Sequence, residues 1–221
     1  IDIFKQLGVG VVQMAYNTQN LVGTGCYERD GGLSGFGHEV VEEMNRVGMM
    51  CDLSHVGAKT SEEVILASKK PVCYSHCLPS GLKDHPRNKS DDELKFIADH
   101  GGFVGVTMFT PFLKNGVNST IEDYVEAIDY IYNLVGEDQI GIGTDFTQGQ
   151  DQAFFEWLTH DKGYARHLTS FGKIINPKGI RTLGEFPNLT EALLRHGFTE
   201  KQVRKFMGEN WLNVLAEVWG E

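Results

Sequence analysis

Apolar and polar positions along the chain alternate between two regimes. Residues 9–15 (VGVVQMA), 49–53 (MMCDL), 72–75 (VCYS), 102–109 (GFVGVTMF) and 140–146 (IGIGTDF) are short β-prone runs, and their continuity predicts strands covered on both faces. Between them the period becomes helical. Phe36, Val40, Val41, Met44 and Val47 share one face, with Ser34 as N-cap and Gly48 as stop. Thr60-x-x-Glu63 and Ser90-x-x-Glu93 have the capping-box pattern that opens a helix, and Ile121, Val125, Ile128 and Leu134 line another over 120–135. The last quarter reads as a long loop, then two helices opened by Asn188-x-x-Glu191 and Thr199-x-x-Gln202. Strands alternating with helices predict right-handed βαβ crossovers, hence a parallel sheet in one α/β domain over 1–221. Binding groups in such sheets gather beyond the carboxyl ends of the strands. The residues there are Tyr16, Asn17, His55, His76, Thr110 and Asp145.

Two of the strand-like runs stop at the same pair: CDLSHVG reaches His55 and PVCYSHC reaches His76. Imidazoles on neighbouring βα units suit a divalent metal. Zinc takes neutral imidazole and carboxylate and keeps a position open for water, and two His with Asp145 meet its minimum ligand count. A lone His at a strand end is more often a hydrogen-bonded structural residue, and an Asp after a strand also caps turns. The matched pair with a carboxylate on the same rim favours a metal or acid–base site. The glycines before Asp145 allow backbone or ligand to approach closely. Arg87, in KDHPRN, is the cation nearest the His76 rim and is suited to holding a carboxylate bidentately, although loop arginines are usually solvated. His38, His100, His160, His167 and His196 read as structural or solvated.

Composition narrows the partners. A formal charge of -10 argues against a nucleic-acid binder, which needs clustered Lys and Arg, and leaves a small molecule as the expected partner. No apolar run approaches the roughly 20 residues of a membrane span, so there is no transmembrane segment and the chain is expected to be soluble, with the cytoplasm as compartment. Cys26, Cys51, Cys73 and Cys77 are too few and too irregular for a disulfide framework and read as reduced thiols.

The stretches GVGVVQMAYNTQNLVGTGC, GLSGFGHEVVEEMNRVGMMCDLSHVG, PVCYSHC with Arg87-Asn88 eleven residues past its His, GIGTDF, and the ending FPNLTEALLRHGFTEKQVRKFMGENWLNVL resemble the membrane dipeptidase (renal dipeptidase) family of zinc peptidases, with motif order preserved along the whole chain. The resemblance implies a (β/α)8 TIM-type barrel of the amidohydrolase kind, with two Zn2+ ions sharing a bridging carboxylate and a bridging water, and hydrolysis of a dipeptide substrate. By position His55 and His76 match two metal ligands, and Asp145 matches the catalytic acid–base. Arg87 matches the arginine that grips the substrate carboxylate, and Tyr16 stands where the family has a substrate-contacting His. The family's His-x-Asp and bridging Glu have no counterpart here. Five strands against the eight of a closed barrel agree with that, so the chain is expected to be the carboxyl-terminal portion of a dipeptidase barrel lacking the first strands. Alone it is expected to bind zinc weakly, to turn over little substrate, and to associate as a homo-oligomer through uncovered strand edges unless the missing segment covers them. The alternatives are a non-catalytic scaffold and another amidohydrolase-type metal hydrolase.

Overall fold

The computed structural model describes residues 1–161 and 165–220, and each apolar run supplies a strand there. Chain order is α1 (Asp2–Gln6), β1 (Val11–Gln13), α2 (Gly35–Val47), β2 (Met50–Asp52), α3 (Ala58–Ala67), β3 (Cys73–Cys77), α4 (Asp91–Asp99), β4 (Phe103–Val106), α5 (Ile121–Val135), β5 (Ile140–Ile142), α6 (Gln152–Leu158), α7 (Asn188–His196), α8 (Glu200–Arg204) and α9 (Asn210–Trp219). The strands pair in sequence order, β1-β2-β3-β4-β5, all parallel. This is the α/β wall that the alternation predicts.

Both sheet faces are covered, which is why the strands read as continuous apolar runs. On one face Tyr74, Val104 and Ile140 join Val41, Met44, Leu94, Ile97, Ile128 and Ile131 from the helices. On the other, Met50, Cys73 and Phe103, the first residues of β2, β3 and β4, meet Val218, with Trp211 and Val214 packed alongside. Trp211 lies 4.1 Å from the Phe103 ring and donates to the Ile142 carbonyl at 2.8 Å. Trp219 donates to the Gly10 carbonyl at 3.1 Å. α9 therefore covers the amino ends of β1 to β4.

Several helix boundaries follow local chemistry. Ser34 accepts from the Gly37 N–H at 2.9 Å, Gly48 stops α2 at φ 70, and capping boxes form at Ser90 and Thr199. Two expected boxes do not form, because tertiary partners take their side chains. Glu63 accepts from the Leu33 N–H at 2.6 Å and Thr60 donates to Asp30 at 2.6 Å, so α3 starts from Gly57 instead. Asn188 donates to the Gly179 carbonyl at 2.9 Å and lies inside α7. The segment read as a long loop contains α6, capped by Asp151, which accepts from the Phe154 N–H at 2.8 Å. The terminal region holds three helices, with a break at Gly208 between α8 and α9.

All four cysteines are free. Cys73 and Cys77 belong to different clusters of the core. Among the described residues no helix is long and apolar enough to cross a membrane.

Candidate active site

The repeated Ser-His pair has a simple geometric meaning. Asp52 of β2 is in register with Cys73 of β3. The same offset of 21 residues places the Ser54 hydroxyl 3.1 Å from that of Ser75, and His55 Nε2 2.9 Å from His76 Nε2. The two pairs are successive rungs of one parallel ladder continued past the end of β2. His76 does not follow its strand, as the sequence suggested, but lies within β3, where the pairing with β4 is irregular between Tyr74 and Cys77.

Each imidazole is held at its other nitrogen. His55 Nδ1 is 2.7 Å from Asn17 Oδ1, and His76 Nδ1 is 2.7 Å from the Ser75 hydroxyl. Burial, with the Arg87 charge nearby, keeps both rings below the ordinary imidazole value, His55 well below it, while Asp145 and Asp52 oppose the shift at His76. Both rings are neutral at pH 7 and available as donors. Asp52, only 3% exposed, accepts from the Ser54 and Ser75 hydroxyls at 2.6 Å each and from their backbone N–H groups at 3.0 Å. Burial alone would raise its carboxyl, but the charge that His76 takes on once protonated in acid, and these hydrogen bonds, outweigh it and hold Asp52 below the usual value.

The place of β3 in the site depends on glycines. A Cβ on Gly105 or Gly143 would fall well inside van der Waals contact of the Ser75 carbonyl oxygen, so both neighbouring positions have to lack a side chain for β3 to lie where it does. Gly143→Ala is expected to cost about 1–3 kcal/mol. That lowers the melting temperature by about 2–4 °C per kcal/mol, and a thermal melt followed by circular dichroism measures it.

His55, His76, Arg87, Tyr16 and Asp145 all line one cavity of about 390 Å³. Phe109, Phe112 and Phe171 form an aromatic wall of the same cavity, with mutual centroid distances of 4.9–5.9 Å. Arg87 is not the solvated loop residue that is usual for arginine. It is 2% exposed, donates through Nη1 to the Ser54 carbonyl, and lies 5.3 Å from the Phe112 ring centroid. Its Nε and Nη2 are buried without a hydrogen-bond partner among the described residues. Tyr16 stacks on His55 at 4.2 Å, and burial followed by the Asp145 charge raises its phenol. Asp145 sits at φ 49, the left-handed region that Asp tolerates better than most residues.

The sequence reading had His55, His76 and Asp145 as three donors, but among the described residues no group of three His, Cys, Asp or Glu side chains is arranged to hold a metal. The two imidazoles meet without the carboxylate. As a pair they fit zinc: nitrogens at ~2.0–2.1 Å from one ion at a tetrahedral angle stand about 3.3 Å apart, and 2.9 Å lies within a few tenths of an ångström of that.

Sequence reasoning gave no role to Asn17, Asp52 or the Phe wall, and passed over His85. For Asp52 the signal was there, a carboxylate inside an otherwise apolar strand. His85 accepts from the Arg87 backbone N–H at 3.1 Å and packs 4.6 Å from Phe112. Burial, reinforced by Arg87 and Lys83, pushes His85 down to about 4 from 6.5. Between those values the unfolded chain binds a proton that the folded chain does not, so stability falls as pH drops through 6.5 toward 4. Urea unfolding at a series of pH values measures the slope, and His85→Gln is expected to flatten it.

The model of the family described as membrane dipeptidase (peptidase family M19) matches residues 1–171. Dipeptidase tcpJ of Claviceps purpurea is 32% identical over 223 residues, covering 99% of this chain and 47% of that protein. A crystal structure of an amidohydrolase from Pseudomonas aeruginosa superposes with a TM-score of 0.98 at 80% identity, over 100% of this chain and 68% of that one. A metallo peptidase from Rhodobacter sphaeroides, liganded with a phosphinate mimic of the dipeptide L-Ala-D-Ala, superposes with a TM-score of 0.81 at 26% identity, over 99% of this chain and 58% of that one. The chain spans about half the length of the curated relatives it matches. Fold, rim and the match along most of the sequence agree, and the chain belongs to the membrane dipeptidase family, peptidase family M19.

Proposed function

We propose that residues 1–221 form one domain of a zinc dipeptidase, carrying the substrate pocket and two of the metal donors. The observation that supports this most directly is a pair of neutral imidazoles facing each other at 2.9 Å beside a buried Arg87 whose Nε and Nη2 have no partner among the described residues, all in one cavity. His55 and His76 would hold the metal. When bound, zinc lowers the pKa of its water and polarises a carbonyl.

The chain's own groups supply the rest. Arg87 Nε and Nη2 take the terminal carboxylate of the dipeptide as a bidentate pair, which restricts substrates to short peptides with a free end. The Tyr16 phenol, kept protonated by burial, donates to the substrate backbone. Asp145 accepts the proton of the attacking water and passes it to the leaving amine. The aromatic wall shields these exchanges from solvent and strengthens each charge interaction.

Catalytic zinc takes three protein ligands, so two imidazoles need a further donor. The chain is therefore assayed with zinc both alone and joined to the part of the Pseudomonas aeruginosa amidohydrolase that it does not cover. The expected result is zinc-dependent cleavage of dipeptides by the joined protein, little by the chain alone, and none of the corresponding carboxyl-terminal amides. Equal cleavage of the amides, or activity confined to lactones and esters in the same panel, would sink the reading.

A further inference from the structure

We infer that Asp52 is a positioning residue that dictates which nitrogen of His76 is bare, although it touches neither imidazole. The inference rests on His55 and His76 as a metal pair and follows from counting protons. A hydroxyl has one proton to give. The Ser75 hydroxyl gives its proton to Asp52 Oδ2 at 2.6 Å and the Ser54 hydroxyl gives its own to Asp52 Oδ1 at 2.6 Å. At its 2.7 Å contact with His76 Nδ1 the Ser75 oxygen can then only accept, so Nδ1 carries the ring proton and Nε2 a lone pair. The Ser54 oxygen likewise accepts from the His76 backbone N–H at 3.0 Å, which fixes the height of the ring.

The other ring is set in the same sense by a different acceptor. Asn17 Oδ1, 2.7 Å away, takes the Nδ1 proton of His55. Two lone pairs therefore converge at 2.9 Å with no ring proton between them, an arrangement that repels when empty and that a cation turns to attraction. Asp52 thus holds the pair in its metal-ready form from two bonds away, and the twin serines are the conduits.

Asp52→Asn tests this with little change of shape. The two backbone N–H groups at 3.0 Å require an oxygen where Oδ1 stands, so the introduced amide nitrogen must take the place of Oδ2. It then donates to the Ser75 oxygen, freeing that hydroxyl proton to turn to His76 Nδ1. His76 is left protonated on Nε2 and hydrogen-bonded to His55.

Long-range proton–nitrogen NMR correlation on 15N-histidine-labelled, zinc-free chain, at a pH where the rings are neutral, reads the tautomer directly. The expected result is His76 with its proton on Nδ1 in the native chain and on Nε2 in Asp52→Asn, with zinc affinity in a chelator competition lower by about 10–100-fold. Ser75→Ala, which removes the acceptor, is expected to shift His76 the same way, and Ser75→Thr to restore the native tautomer. Ser75→Ala decides the matter if Asp52→Asn does not fold. A native His76 protonated on Nε2 overturns the inference, as does a tautomer unmoved by the substitutions, even if stability or zinc affinity falls. Failure of the native chain to bind zinc would instead count against the metal reading, while the tautomer still decides the role of Asp52.

Discussion

Arg87→Met is expected to lower kcat/KM on a dipeptide by about 10²–10³-fold, most of it in KM, and to leave the protein as stable as before or more so. Two opposite consequences come from one observation. Arg87 is 2% exposed and finds no carboxylate partner among the described residues, so the folded protein carries the cost of a desolvated cation. Methionine keeps the contact with Phe112 and removes that cost. Substrate binding loses a charge-assisted bidentate pair in a dry cavity, where truncating one partner costs about 2–5 kcal/mol. Arg87→Lys should not restore binding, because an ammonium presents a point charge where a planar fork is needed. Steady-state kinetics and a thermal melt on the zinc-dependent preparation test both halves. A variant that loses stability along with activity would mean that Arg87 is a packing residue.

Asp145→Asn is expected to reduce kcat by about 10²–10⁴-fold with KM little changed, the range for removing a general acid–base. The substitution separates chemistry from conformation. Asp145 sits at φ 49, and asparagine tolerates that left-handed region as readily as aspartate does. If Asp145 served only to make the turn after β5, the variant would behave like the native protein. An amide in the same place cannot take up a proton from water, so a proton-transfer role predicts near-complete loss of turnover without loss of folding. Activity and the melting temperature, measured together, distinguish the two.

What the sequence made legible was what depends on local repetition. The five strands, the parallel order and the rim residues His55, His76, Arg87 and Asp145 could be placed because apolar runs, caps and strand ends are written in neighbouring residues. What it hid depends on register. That Asp52 bridges Ser54 and Ser75 follows from Asp52 pairing with Cys73, and no periodicity reveals a pairing. The box expected at Thr60 was lost in the same way, since Asp30 and the Leu33 N–H reach its members from a loop about thirty residues away. That Arg87, read as suited to holding a carboxylate, would be buried was not legible, because burial of a loop residue is decided by what lies above it, here Phe112 and the Ser54 carbonyl.

The contact between Trp219 and Gly10 spans 209 residues, and it bears on how the chain is made. Neighbouring strands β1 to β5 pair through crossovers that close as soon as each unit is synthesised, so the sheet can assemble progressively behind the ribosome. Its amino ends cannot be covered then, because the helix that seats on Met50, Cys73 and Phe103 follows all five strands in the chain. Of these five strands the earliest made, β1, is thus sealed only late, and the amides around Gly10 gain their protection from exchange only after α9 docks.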